Sequence, residues 1–133
     1  VNPSSIDIST LLEADSNLEL TFAVNLFVGK EPALPDNCVT IFDIPGDAPV
    51  LTLTGKGGGD YYRPSVQARV RNNDYLTGWK LIHDIQKYLH GINGVIEDSA
   101  EYLLIQSVDS PFLLDWDKNN RVRFAATFSI YRK

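Results

Sequence analysis

Ser65-Val66-Gln67-Ala68-Arg69-Val70-Arg71, followed almost at once by an amphipathic stretch over residues 74–90, decides how this chain is read. Val66, Ala68 and Val70 alternate with Gln67, Arg69 and Arg71. A strand with that pattern sends one face into a core and stands two guanidinium groups side by side on the other. In the second stretch Tyr75, Trp79, Ile82, Ile85 and Leu89 recur at spacings of three and four, an apolar stripe that predicts a helix lying across the sheet. Asn72, Asn73 and Asp74 supply turn and N-cap chemistry between the two, and Gly91 and Gly94 stop the helix.

Working outward, residues 4–14 read as a short helix with Ser4 or Ser5 as cap, Asp7 in the first turn and Ile8, Leu11 and Leu12 as its apolar side. Residues 20–28 suit a strand buried on much of both faces, ended by Gly29. Pro32 and Pro35 make residues 30–37 an irregular connection before a strand over residues 38–43, and Pro45, Gly46 and Pro49 break the chain again. Residues 51–54 suit a short strand leading into the glycine-rich 55–60, a projecting loop or hairpin tip. One or two strands are expected over 94–97 and 102–108, then a break at Pro111 and an acidic turn over 115–120. The last strand is the clearest: Val122, Phe124, Ala126, Phe128 and Ile130 alternate with small and polar residues for about ten positions. The expected fold is α+β: one domain over residues 1–133, with a mixed or mainly antiparallel sheet, one long helix packed on it and a short N-terminal helix.

At 133 residues the chain buries roughly two thirds of its unfolded surface, enough for a core without metal or disulfide staples. Cys38 is the sole cysteine, so no intrachain disulfide forms, and a reducing, cytoplasmic assembly site is expected. No apolar run approaches the roughly 20 residues of a membrane span, and the N-terminus has no signal-peptide pattern. The absence of methionine fits removal of an initiator before Val1, or trimming. A net charge of -5 argues against a protein that coats nucleic acid. Basic residues gather at 63–71 and at Arg121, Arg123, Arg132 and Lys133, whereas the first 20 residues are acidic, an asymmetry that suits head-to-tail subunit contacts or a charged pore rim and equally suits ordinary solubility charges.

The motifs that would carry chemistry are missing. Lys56 sits too early in its glycine run for a phosphate loop, with no Ser or Thr after it and a strand beyond it. His83 and His90 lack carboxylates at ligand spacing; His83 reads as a rim residue and His90 as a helix C-terminal residue favoured by the dipole. Asp109, Asp115 and Asp117 lack the glycine and terminal glutamate of a calcium loop, so an acidic turn capped by Arg121 is the plainer reading. Cys38, flanked by Val39 and Ile41, reads as a small buried side chain. No catalytic residue, metal or cofactor is assigned.

In order and spacing, several segments resemble the tail terminator proteins of long-tailed bacteriophages, also labelled tail completion or minor capsid proteins. The similarity runs from Asn25-Leu26-Phe27-Val28-Gly29 through Pro32, Pro35-Asp36-Asn37-Cys38 and Ile41-Phe42-Asp43 to Pro45-Gly46-Asp47-Ala48-Pro49. It resumes at Pro64-Ser65-Val66-Gln67-Ala68-Arg69-Val70-Arg71 with Tyr75 opening a helix, and closes at Ser110-Pro111, residues 115–121 and the final strand. The run at 55–60 is richer in glycine than that pattern.

The resemblance implies a non-enzymatic structural subunit of the virion tail or neck, assembled in the host cytoplasm. It further implies a homo-hexameric ring that caps the tail tube protein, ends tube polymerisation, presents a surface to the head connector or stopper protein and lets DNA pass transiently. No membrane is involved. Gln67, Arg69 and Arg71 are expected at a subunit or tube interface, with Gly57, Gly58, Asp60, Tyr61 and Arg63 on an arm directed toward a neighbour. The alternatives are another head–tail connector component, such as a stopper or neck protein, a tail tube subunit, or a small enzyme of another type.

Overall fold

A computed structural model describes residues 2–50, 61–97 and 100–133. The elements, in order, are α1 (Ser4–Ala14), β1 (Leu26–Val28), β2 (Cys38–Val50), β3 (Tyr61–Asn72), α2 (Tyr75–Leu89), β4 (Val95–Glu97), β5 (Ala100–Ser107), β6 (Phe112–Trp116) and β7 (Val122–Arg132). Among the described residues these form one seven-stranded sheet in the order β1-β2-β3-β7-β5-β4, with β6 also paired to β7. The β1–β2 pair is parallel and every other pair antiparallel. β3 occupies one edge of β7 along its length, so β5 and β6 share the other edge, β5 opposite residues 128–132 and β6 opposite residues 122–125. The fold is α+β, as expected.

Both helices cover one face of the sheet. Val66, Ala68 and Val70 of β3 and Val122, Phe124, Ala126, Phe128 and Ile130 of β7 point into a single core, which Ile8 and Leu12 of α1 and Ile82, Ile85 and Leu89 of α2 close. The period-two reading of both strands and the 3.6-period reading of the helices hold together there. The stripe on α2 is only partly buried, however: Tyr75 and Trp79 are exposed, and Gly78 lies against the sheet instead. A Cβ at Gly78 would come within 3.3 Å of the Phe124 ring, so the missing side chain lets the helix start close to β7.

Elsewhere the boundaries differ. Of residues 20–28 only 26–28 form a strand; Glu19 and Ala23 have positive φ, and Phe22 and Val24 are exposed. β2 continues through Pro45 and Pro49 because β1 pairs only with residues 39–41, leaving the distal half an edge where a missing N–H breaks no ladder. Register shifts between Ile44 and Asp47 and between Asp47 and Val50 take up the irregularity, and a Cβ at Gly46 would collide with the Arg63 carbonyl. The strand expected over 51–54 and the glycine loop over 55–60 lie outside the described residues. Residues 112–116, read as part of a break and a turn, form β6, and the turn occupies only 117–120.

The cap of α1 also differs. Pro3 holds the N-cap position without a side-chain hydrogen bond, which places Ser4 and Ser5 inside the helix. Asp43 of β2, on the strand face that α1 packs against, supplies the acceptor, taking hydrogen bonds from the Ser5 amide at 3.0 Å and the Ser5 hydroxyl at 2.6 Å. A carboxylate at a helix N-terminus also meets the positive end of its dipole. Asp74 caps α2 as expected, accepting from the Thr77 amide at 3.0 Å and the Thr77 hydroxyl at 2.6 Å, and these bonds hold its carboxyl below the usual range.

Candidate functional site

Tyr61, Arg63, Ser65, Gln67, Arg69 and Arg71 follow one another on the face of β3 turned away from the helices. Arg69 lies with its guanidinium carbon 4.6 Å from the centroid of the Phe42 ring and donates from Nε to Gln67 Oε1 at 2.7 Å. Gln67 in turn reaches Thr127 Oγ1 of β7 at 3.4 Å, so Phe42, Arg69, Gln67 and Thr127 form one half-buried polar ledge. Arg63 stands further along, bonded to the Ala48 carbonyl at 3.2 Å and 4.0 Å from Asp47. Lys133 Nζ lies 5.8 Å from the Tyr61 ring centroid. Gly57, Gly58 and Asp60 fall outside the described residues.

Arg71 does not stand beside Arg69 on an open face. It is 2% exposed, roofed by residues 31–36. Its Nη2 donates to the Pro35 carbonyl at 2.7 Å, its Nε to the Asp36 carbonyl at 3.2 Å and its Nη1 to Glu31 at 3.1 Å. Two more arginines converge on the same segment. Arg121 donates to the Ala33 carbonyl at 2.7 Å and to the Asp36 carboxylate at 3.1 Å, and Arg123 reaches Glu31 through Nη2 at 2.7 Å and Asp115 through Nη1 at 3.2 Å. A proline-rich connection has few backbone amides with which to tie itself down, and guanidinium forks satisfy its carbonyls instead. The basic residues at 71, 121 and 123 are therefore internal fasteners.

Asp117 anchors the neighbouring turn. Its carboxylate accepts from the Asn119 and Arg121 amides, each at 2.9 Å, and from Arg121 Nε at 2.7 Å. Burial pushes the Asp117 carboxyl up, but these bonds outweigh it and hold the group below the ordinary carboxylate range. The acidic turn capped by Arg121 is as the sequence indicated. Arg123 is shifted up, first by its hydrogen bond to Glu31.

At the other end of the sheet, Asp7 of α1 is buried and accepts from the Tyr102 hydroxyl, which lies 3.4 Å from Arg132 Nη1. Burial, then the bond to Asp7, pushes the Tyr102 phenol up to about 12. Arg132 also donates to the Asn2 carbonyl at 3.0 Å, tying the last strand to the N-terminus. Cys38 is buried, which pushes its thiol up, against the reactive-thiolate direction. His83 stacks on Trp79 at 3.7 Å between ring centroids, and His90 Nδ1 accepts from the Ser107 amide at 2.9 Å. Among the described residues no three His, Cys, Asp or Glu side chains converge to hold a metal, and no helix is long and apolar enough to cross a membrane.

Sequence reading assigned no role to an apolar surface formed by β6 and the start of α2. Phe112, Leu113, Leu114 and Trp116 of β6 are all exposed, as are Tyr75, Leu76 and Trp79. Tyr75 joins the two elements, its ring stacked 6.3 Å from Trp116 and set edge-on 5.2 Å from Phe124. The available signal was Phe112-Leu113-Leu114, a run of three apolar residues between a proline break and an acidic turn.

Comparison with known proteins gives two further findings. The family model described as "Bacteriophage tail terminator protein" matches residues 7–132. Six chains of solved structures also match, one of them from the "Virion of native gene transfer agent (GTA) particle". That chain superposes with a TM-score of 0.66 at 13% identity, covering 94% of this chain and 90% of its own, and so shares the fold. The curated proteins give no match.

Proposed function

The chain belongs to the bacteriophage tail terminator family and is a structural protein of the virion tail; from that premise we propose that it closes into a homo-hexameric ring on the end of the finished tail tube. The ring stops further addition of tube protein and offers its other side to the head connector or stopper. The observation that carries this reading is the extent of the family match: residues 7–132 run from the first turn of α1 to the end of β7, taking in every element of the fold.

The physical features are compatible with the role. A ring needs two unlike surfaces on each subunit, and the rotation between neighbours decides closure. The two ends of this sheet are unlike in composition. DNA has to pass without being held, and a chain of net charge -5 forms few of the phosphate contacts that would retain it. In this reading the ledge of Phe42, Gln67, Arg69 and Thr127, with Arg63 further along β3, faces the tube or a neighbouring subunit, while Arg71 on the same strand face holds residues 31–36 in place.

Light scattering of the full chain with and without purified tail tubes, followed by negative-stain imaging, tests the proposal. A closed hexamer, or a monomer that forms rings only at tube ends, is the expected result. Open-ended polymers would replace the reading with that of a tube subunit, and indifference to tubes would overturn it.

A further inference from the structure

β6 is an edge strand of an unusual kind. Among the described residues its outer side pairs with no strand, and its guards against edge-to-edge pairing are slight: it is short, follows Pro111, and has one register shift between Leu113 and Asp115 and one charge, Asp115, which Arg123 already pairs. On the helix side of the sheet its Leu113 and Trp116 join Tyr75, Leu76 and Trp79 in one apolar surface. With exposures from 43% for Trp79 to 63% for Leu76, these five side chains offer about 600 Å² of accessible area, taking ordinary side-chain areas. That equals the largest patch expected on a monomer and, with the strand's backbone edge, approaches the roughly 800 Å² that each partner contributes to a standard interface.

A second apolar surface lies at the opposite end of the same sheet. Phe22 and Val24, 54% and 62% exposed, project from the turn that precedes β1, and Ile6 on the outer side of α1 completes the surface. Ile6, Ser9, Thr10, Glu13 and Phe22 line an open cavity of about 240 Å³ there, and Glu13 accepts from the Phe22 amide at 2.6 Å, which fixes the turn to the helix. Four strand spacings, about 20 Å, separate β1 from β6.

The charges around the two surfaces are opposite. Asp115 and Asp117 near the first are ion-paired with Arg123 and Arg121, so its exposed rim carries Lys80 and Lys118 against the single unpaired carboxylate of Asp74. Asp84, a turn further along α2, lies by Asp15 and Leu18. Glu13 lies against Phe22, and Asp15 and Glu19 follow it toward the second surface, with Lys87 of α2 beside Asp15, so the acidic residues there outnumber the basic.

We infer that the β6–α2 surface of one copy docks on the Ile6–Phe22–Val24 surface of the next, a head-to-tail contact that repeats around the ring. The inference rests on the ring reading above and names the surfaces that build it. Unlike surfaces, complementary in charge and placed at opposite ends of one sheet, suit a heterologous contact; a two-fold contact would need one surface complementary to itself. Covering β6 also removes its free edge from solution.

Two full-length variants test this. Leu76→Glu with Leu113→Glu breaks the first surface, and Phe22→Ser with Val24→Ser breaks the second without giving it a charge that the first variant could pair. All four side chains are at least 47% exposed, so an unchanged urea midpoint is expected; the single variants Leu76→Glu and Val24→Ser replace either double variant that unfolds early. Each variant alone is expected to lose ring formation, with at least a 100-fold weaker contact. A one-to-one mixture is expected to give a dimer and nothing larger, because each partner retains one intact surface and the two match.

Rings of wild-type protein together with rings of either variant would overturn the inference and leave the ring reading standing. Variants that form rings yet fail to cap tubes would overturn it in favour of a tube contact. A wild-type chain that never forms rings, even on tubes, removes both.

Discussion

Two neighbouring regions treat the same end of the sheet in opposite ways. On the face away from the helices, Arg71, Arg121 and Arg123 are each matched to carboxylates and carbonyls of residues 31–36 and the adjoining turns. On the helix side, a few ångströms through the sheet, Trp116, Leu113 and Tyr75 stand in solvent without a cover. Arg123 connects the two regions, bridging Glu31 to Asp115 of β6. The residues that look like contact groups in the sequence hold the subunit together, and residues that look like core are left outside. Solvated ion pairs contribute little to association, whereas exposed aromatic and aliphatic area is what a partner removes from water.

The largest effect that tests this contrast is on stability. Arg71→Ala removes a buried guanidinium, leaves the Pro35 and Asp36 carbonyls without their donor and Glu31 to Arg123 alone, so a loss of about 3 kcal/mol is expected in urea denaturation. An effect no larger than that of a surface substitution would mean that residues 31–36 do not depend on the cluster.

Asp117→Asn comes next, at about 2 kcal/mol, since charge-assisted bonds to two amides and Arg121 are weakened together. The folded-state value of this carboxyl lies below its unfolded one, so its contribution is fully present above about pH 4 and is lost as pH falls through the lowered value. The gap between wild type and variant should therefore be constant from neutral pH down to about pH 4 and close below it. A gap that widened in acid would contradict the assignment.

Trp116→Ala probes the exposed side of the contrast. Its ring contributes the stack on Tyr75 and little burial, so about 1 kcal/mol of stability is at stake, while assembly on tubes should fail. A stability loss matching that of Arg71→Ala, with assembly intact, would make the apolar surface an ordinary extension of the core.

How much of this was legible follows the same division. The alternations in residues 65–71 and 122–130 and the helix spacing through Ile82, Ile85 and Leu89 gave the sheet, the long helix and the core, because burial imposes periodicity on sequence. Periodicity does not report that Gly78 is the residue that meets the sheet at the start of α2, so Tyr75 and Trp79 read as buried. Nor does it report contacts between distant segments. Arg71 and Glu31 are 40 residues apart, and Asp43 caps a helix 38 residues away. Pro45 and Pro49 read as breaks because the edge position that tolerates them is a property of the assembled sheet.

The smallest expected effect is the sharpest comparison, because it sets Arg69 against Arg71 within one strand and one alternation. Arg69 stacks on Phe42 and bonds Gln67, but it is half-exposed and no buried carboxylate depends on it. Arg69→Ala should cost about 0.5–1 kcal/mol, the worth of a partly solvated cation–π contact. If the ledge meets the tube or a neighbour, the same substitution should weaken capping out of proportion to that cost, and Arg69→Lys should restore stability more than capping, since the planar fork is lost while the charge remains. Equal losses of stability from Arg69→Ala and Arg71→Ala would mean that exposure does not divide these arginines, and the contrast between fastened and available surface would fail at the strand where the sequence first suggested it.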